Sequence, residues 1–189
     1  MNINKLNSIS LFFIVIISGL FQIHAQTEND ESQRAHFEKI ANYLTQGSGK
    51  WTGENKKYNP DNPKSPKAFG LWFERPIKNL LTIKIVAYQK DSTIISSQGI
   101  FSWHPIKKQF IHVTADRGDG FSEGISEFPN DSTFISTMIV YRPNGAFFDH
   151  KDENFIVSEN VHRNTSFGKD EQGNWIEKGR WTWTRDPEE

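Results

Sequence analysis

The 189-residue chain contains no cysteine. This absence excludes disulfide bonds, a lipid-modified cysteine and a cysteine nucleophile, so the fold has to be stabilised by burial alone. An excess of one charge is missing as well, because 22 Lys and Arg residues balance 23 Asp and Glu residues. A chain so close to neutral has little electrostatic attraction to a polyanion, and nucleic acid is therefore not an expected partner.

Recognisable catalytic and metal-binding motifs are also absent. The sequence has no Gly-x-Ser-x-Gly segment, no phosphate-binding loop and no Gly-x-Gly-x-x-Gly segment. The five histidines that follow residue 25 have no partners at the spacing of a metal site. These histidines are His36, His104, His112, His150 and His162. We therefore predict neither a catalytic motif nor a metal centre.

Long hydrophobic runs are limited to one, at residues 11–21. This run of about 11 residues is shorter than the roughly 20 that a membrane-spanning helix needs. With Lys5 before it and Ala25 after it, it predicts a signal peptide over residues 1–25 that is cleaved after Ala25. An uncleaved N-terminal anchor is the alternative. The mature chain, residues 26–189, is then expected to be secreted or periplasmic, with no stable membrane span.

One helix is predicted ahead of a long β-pattern. Apolar residues recur at helical spacing between Ser32 and Gly47, with polar residues on the opposite face. These apolar residues are Phe37, Ile40, Ala41 and Leu44. The spacing indicates an amphipathic helix that ends at Gly47.

Beyond Gly49, segments of alternating polarity follow one another at hairpin spacing, separated by turn signals such as Pro-Asn-Gly at 143–145. The pattern predicts about nine or ten strands, in a sandwich or a barrel. Closure is favoured because open sheet edges rich in aromatic residues tend to aggregate. The predicted fold is therefore all-β: a single antiparallel up-and-down β-barrel with one short N-terminal helix, formed by residues 26–189.

Two segments carry more detailed expectations. In the strand predicted at 109–115, Ile111, Val113 and Ala115 form the more apolar face and are predicted to point inward, away from the face of His112. Residues 58–66 contain three prolines, which exclude a helix and a central strand. This loop is either a lid over one end of the barrel or a plain connector.

The segment Gly49-Lys50-Trp51-Thr52-Gly53 opens the first strand directly after the helix. With this opening the chain resembles the lipocalins and the wider calycin barrels, and more closely a family of bacterial lipocalin-like domains of unknown function. The resemblance implies that Trp51 closes the base of the barrel and stacks on a basic side chain from a late strand. The implied basic residues are Arg180 and Arg185, beside Trp181. Such a stack contributes about 0.5–2 kcal/mol.

The same opening resembles that of haem-binding barrels of the nitrobindin type, in which a histidine near the C-terminal end ligates the iron. That resemblance implies His162 as the ligand, or else His150. Haem is thus the alternative to a barrel without a cofactor.

The strand pattern and the missing catalytic motifs predict that the barrel binds a small hydrophobic molecule in its interior. Trp72 and Trp103 are predicted contacts because each ends an apolar strand face near a loop. The full set of predicted ligand-binding residues is Trp72, Phe101, Trp103, His112 and His150.

Two other functions remain open. One is an enzyme on the same barrel, an isomerase, cyclase or hydrolase that uses His150 or His112 with a nearby carboxylate. Asp152 is such a carboxylate, because it shares a strand face with His150. The other is an interaction module whose aromatic side chains are exposed outside the barrel.

Overall fold

Ten antiparallel strands form one closed barrel in the computed structural model, which describes residues 30–188. One helix, α1, covers residues 30–45. The strands are β1 (Lys50–Glu54), β2 (Ala68–Ile77), β3 (Leu80–Tyr88), β4 (Thr93–His104), β5 (Gln109–Asp116), β6 (Phe121–Asn130), β7 (Thr133–Tyr141), β8 (Phe147–Ser158), β9 (Val161–Lys169) and β10 (Trp175–Arg185). Consecutive strands pair, and Trp51 of β1 lies opposite Arg185 of β10, which closes the ring. The predicted up-and-down barrel is confirmed, whereas the predicted signal segment lies outside the described residues.

The alternation of side chains along each strand determines what enters the barrel. Along β7, Phe134, Ser136 and Met138 are buried, and the residues between them are more exposed. Successive side chains of a strand point to opposite faces of the sheet, so every second residue points into the interior. Because every strand has two neighbours, the closed sheet has no free edge at which another chain can pair.

The face predicted for β5 is wrong. His112 and Thr114 are buried and line the interior, whereas Ile111 and Val113 are only half-buried and point outward. The prediction assigned the more apolar face of the strand to the interior. That rule identifies the inner face only where the interior of the barrel is apolar throughout. This barrel encloses polar side chains on several strands, and the more apolar face of β5 is therefore the outer one.

Helix α1 lies across one end of the barrel, here called the helix end. The helix buries its apolar face completely, and Phe37 stacks on Phe110 of β5 with ring centroids 4.2 Å apart. Lys39 pairs with Asp131, which lies in the turn between β6 and β7. The helix therefore closes the end at which the turns after β2, β4, β6 and β8 lie. The opposite end, here called the open end, is bordered by the other connections.

The two glycines of the segment at 49–53 serve different purposes. Gly49 has a φ of 65°, in the left-handed region that favours glycine, and a Cβ there would lie 2.5 Å from the carbonyl oxygen of Phe73. At Gly53, a Cβ would lie 2.8 Å from an indole carbon of Trp183. Gly49 therefore allows the chain to turn from α1 into β1, and Gly53 allows the indole to pack directly on the strand.

Replacing Gly49 with alanine is expected to lower the free energy of unfolding by about 1–3 kcal/mol, because the side chain is strained in this conformation. Urea unfolding followed by tryptophan fluorescence measures the change. Gly118→Ala is the matched control, since a Cβ at Gly118 meets no atom within 4 Å. Equal stabilities of the two variants would contradict this role of Gly49.

The proline-rich connection between β1 and β2 lies at the open end. The side-chain amide of Asn55 donates to the carbonyl oxygen of Pro66 at 2.7 Å, and that of Gln89 donates to the carbonyl oxygen of Lys64 at 2.9 Å. These bonds tie the loop to itself and to the end of β3. None of its residues, 55–67, lines the interior cavity.

Candidate functional site

A cavity of about 410 Å³ occupies the middle of the barrel. Inward-facing side chains of β2 to β10 line it, but no residue of α1 does, and it stops short of Trp51 at the helix end. At the open end it reaches Arg142 and Phe148, which are both exposed. There the guanidinium carbon of Arg142 lies 5.2 Å from the ring centre of Phe148. The cavity is therefore closed by the helix end and opens to solvent between the connections of the open end.

The wall of the cavity is apolar on one side and largely polar on the other. The cavity wall receives only apolar side chains from β10, β2 and β3. These strands belong to one continuous part of the sheet, because β1 lies between β10 and β2. Among the apolar side chains are Leu71, Phe73, Ile83, Ile85, Trp181 and Trp183. Strands β5, β6 and β9 contribute only polar side chains, namely His112, Thr114, Asp116, Ser122, Asn164 and Ser166. The site thus provides apolar contact area together with a limited set of polar partners, as is typical of small-molecule pockets.

A row of bonded polar side chains crosses β8 and β9 on the polar wall. The hydroxyl of Ser166 donates to Asp152 Oδ1 at 2.5 Å, and Nε2 of His150 lies 3.1 Å from Asp152 Oδ2. Burial raises the pKa of Asp152, but the hydrogen bond and charge of His150 and the hydrogen bonds of Ser166 and Asn164 lower it more. The pKa of Asp152 therefore lies below its ordinary value, and the side chain is a carboxylate at neutral pH.

His112 lines the same cavity from β5. Its Nε2 atom lies 2.8 Å from the hydroxyl of Thr114, and its ring stacks on Phe101 with centroids 4.3 Å apart. Burial lowers the pKa of His112 to about 4, and the negative charge of Asp152 opposes only part of that shift. His112 is therefore a neutral imidazole at pH 7 and is held in place by two neighbours.

Trp51 and Arg185 meet at the helix end. The guanidinium carbon of Arg185 lies 4.1 Å from the centre of the Trp51 ring, within the range of a cation–π contact. Trp51 is completely buried, and its Nε1–H donates to the carbonyl oxygen of Leu44 at 2.9 Å. One indole therefore connects the first strand, the last strand and the end of α1.

Arg180 and Trp181, the other residues implied at the base, lie away from this contact. Arg180 is exposed, and its guanidinium forms an ion pair of 2.7 Å with Glu177. Trp181 lines the cavity and meets the ring of Phe69 edge to face, with centroids 5.4 Å apart. Of the two arginines, Arg185 alone stacks on Trp51 within the described chain.

The five predicted ligand-binding residues divide into two groups. Those that line the cavity are Phe101, His112 and His150. Trp72 lies on the outer face of β2, where its Nε1–H donates to the hydroxyl of Tyr88 at 3.0 Å. Trp103 packs on Phe110 near α1, with ring centroids 5.1 Å apart. The structure therefore brings three of the five together at the cavity, and ligand contact itself stays a prediction.

His162 lies between indole rings and does not line the cavity. It is 1% exposed, with the Trp51 ring centroid 4.7 Å away and that of Trp183 6.3 Å away. Neither ring nitrogen has a hydrogen-bond partner among the described residues. Burial, and then the charge of Arg185, lower the pKa of His162 to about 3. An axial haem ligand has to face a space that holds the macrocycle, and the enclosed ring of His162 does not fit that requirement.

Within residues 30–188, no group of three or more His, Cys, Asp or Glu side chains is placed to hold a metal ion.

The polar partners on β9 were not predicted from the sequence. His162, Asn164 and Ser166 alternate along the strand, and all three point inward. This alternation was visible in the sequence, but alternating polar residues are also typical of a solvent-facing strand. Only the closure of the sheet shows that Asn164 and Ser166 face a cavity.

The outside of the barrel carries exposed apolar side chains on neighbouring strands. Phe121, Tyr141 and Phe147 lie in register on β6, β7 and β8, with neighbouring ring centroids 6.3 and 6.4 Å apart. Phe147 is 70% exposed. If the chain is an interaction module, this aromatic row is where its partner is expected to contact it.

A scan against models of known protein families finds none that matches the chain, and a search of curated proteins finds no match either. In residues 30–188, no helix combines the length and the apolar character that crossing a bilayer requires. The established property of the chain is thus its architecture, a ten-stranded antiparallel barrel with one helix, which is compatible with a calycin-like barrel.

Proposed function

We propose that this protein is a lipocalin-like barrel that binds a small, largely apolar molecule in its interior. The observation that carries the proposal is the cavity of about 410 Å³, closed by α1 and open to solvent at the other end. Its volume lies within the range of about 300–1,000 Å³ that is typical of small-molecule sites.

The two-sided wall supports a ligand with an apolar body and few polar atoms. The indoles of Trp181 and Trp183 and the aliphatic side chains of β2 and β3 provide broad contact area on one side. Asp152 is a carboxylate on the other side, so an anionic group deep in the cavity would be repelled. The proposed ligand is therefore neutral or cationic at its inner end.

Binding of N-phenyl-1-naphthylamine, a neutral apolar dye that becomes fluorescent in apolar surroundings, tests the proposal. Val140 lines the cavity, and a Val140→Trp variant places an indole in it. We expect this substitution to weaken dye binding by about tenfold, which corresponds to about 1.4 kcal/mol of lost contact.

The neighbouring residue Ile139 provides the matched control, because it is 37% exposed on the outer face of β7. Ile139→Trp is expected to leave the dissociation constant unchanged. If the wild-type protein does not bind the dye, or if the two tryptophan variants behave alike, the interior-binding proposal is wrong.

A further inference from the structure

His150 and Asp152 are the charged or chargeable side chains of β8 that point into the cavity. They lie two residues apart on the same strand face, and both line the cavity. Their side chains are 24% and 28% exposed, although the barrel wall surrounds them. The accessible part of each side chain therefore faces the cavity and its opening, where a bound molecule would lie.

The carboxylate of Asp152 lies beside the imidazole of His150 and is itself held by Ser166. One carboxylate oxygen accepts from Ser166 at 2.5 Å, and the other lies 3.1 Å from Nε2 of His150. A negative charge this close to Nε2 favours the tautomer that carries its proton there. In that tautomer Nδ1 carries the lone pair that can accept a proton.

We propose that His150 is a general base for the cavity, with Asp152 as its positioning residue. The substrate class is a small molecule with an apolar body and a C–H bond made acidic by a neighbouring electron-withdrawing group. This inference rests on the proposed ligand cavity but requires more than binding.

The proton balance of the step requires no co-reactant. The C–H bond breaks, its electron pair stays on the substrate, and the proton moves to Nδ1 of His150. The resulting imidazolium is stabilised by the carboxylate of Asp152, which stays deprotonated. Return of the proton to another atom of the same molecule regenerates neutral His150 and gives an isomer.

The base can be tested with 5-nitrobenzisoxazole, a small aromatic probe with one acidic C–H. When a base removes that proton, the electron pair of the C–H bond forms the third carbon–nitrogen bond of a nitrile. The N–O bond breaks in the same step. The oxygen leaves as a coloured nitrophenolate, so the rate is read by absorbance. We expect saturable turnover by the wild-type protein and a loss of about 100-fold in kcat/KM for His150→Phe.

Asp152→Asn separates positioning from structure, because the amide keeps the shape of the side chain. We expect kcat to fall by about tenfold with KM unchanged, since the ground-state contacts of the probe remain. His104→Phe is the control, because His104 ends β4 outside the cavity, and it is expected to retain full activity.

Dye binding distinguishes the failure of this inference from the failure of the ligand cavity. If the wild-type protein binds N-phenyl-1-naphthylamine but does not accelerate cleavage, or if His150→Phe cleaves the probe as fast as the wild type, the general base is refuted and the cavity is not. If His150→Phe also loses dye binding, Asp152→Asn decides, and an unchanged kcat in that variant refutes the proposal.

Discussion

Replacing Arg185 with alanine is expected to lower the free energy of unfolding by about 3 kcal/mol, from one lost cation–π contact and several lost hydrogen bonds of a charged donor. The guanidinium stacks on Trp51 at 4.1 Å and donates to the carbonyl oxygens of Tyr43 and Gln46 at the end of α1. It also donates to Glu159 O, between β8 and β9, at 3.0 Å. The alanine variant leaves these oxygens without their charged partner and the indole without its cover.

Arg180→Ala is the matched control, because Arg180 lies on the same strand with its side chain in solvent. Its contact is an exposed ion pair with Glu177, and such pairs contribute about 1 kcal/mol or less. Arg185→Lys is expected to be intermediate, since an ammonium group keeps the charge but loses the planar set of donors. Urea unfolding followed by tryptophan fluorescence ranks the three variants. Equal losses for the two alanine variants would mean that the contact at the helix end does not stabilise the barrel.

Acidification is expected to destabilise the barrel through His162. Its pKa is about 3 in the folded protein, where burial and the charge of Arg185 favour the neutral ring, against 6.5 as the ordinary value. Below pH 6.5 the unfolded chain binds a proton that the folded chain does not bind, so stability falls as the pH falls and the loss continues down to about pH 3. Between pH 7 and pH 4 this histidine alone accounts for about 3 kcal/mol.

His162→Phe is expected to remove this part of the pH dependence. At pH 7 the variant should be as stable as the wild type or more stable, because two buried nitrogens without partners are replaced by carbon. Urea unfolding at pH 7, 5 and 4 measures the slope, and His104→Phe serves as the control outside the buried cluster. His112 contributes a slope in the same direction, because burial lowers its pKa to about 4. A wild-type slope unchanged in His162→Phe would contradict the assignment to His162.

The segment at 49–53 was informative in the sequence because each of its key positions has a local cause. Gly49 is in a left-handed conformation, Gly53 lies against an indole, and Trp51 is large enough to fill the helix end. The resemblance implied two arginines for Trp51, and the sequence pattern does not choose between Arg180 and Arg185. The choice depends on which of the two strand positions lies beside the end of α1, and this is a property of the closed sheet.

The hydrophobic period of α1, the turn signals and the alternation of the strands were sufficient to predict one helix followed by nine or ten strands, in a sandwich or a barrel. These are local features, determined by neighbours within a few residues along the chain. The content of the interior was decided only by the tertiary structure. Whether His112 or Ile111 points inward, and whether Asp152 meets His150 and Ser166, depends on strand register and on ring closure. Those are set by contacts between residues far apart in sequence, and a polar face that closure turns inward has the same local pattern as one that faces water.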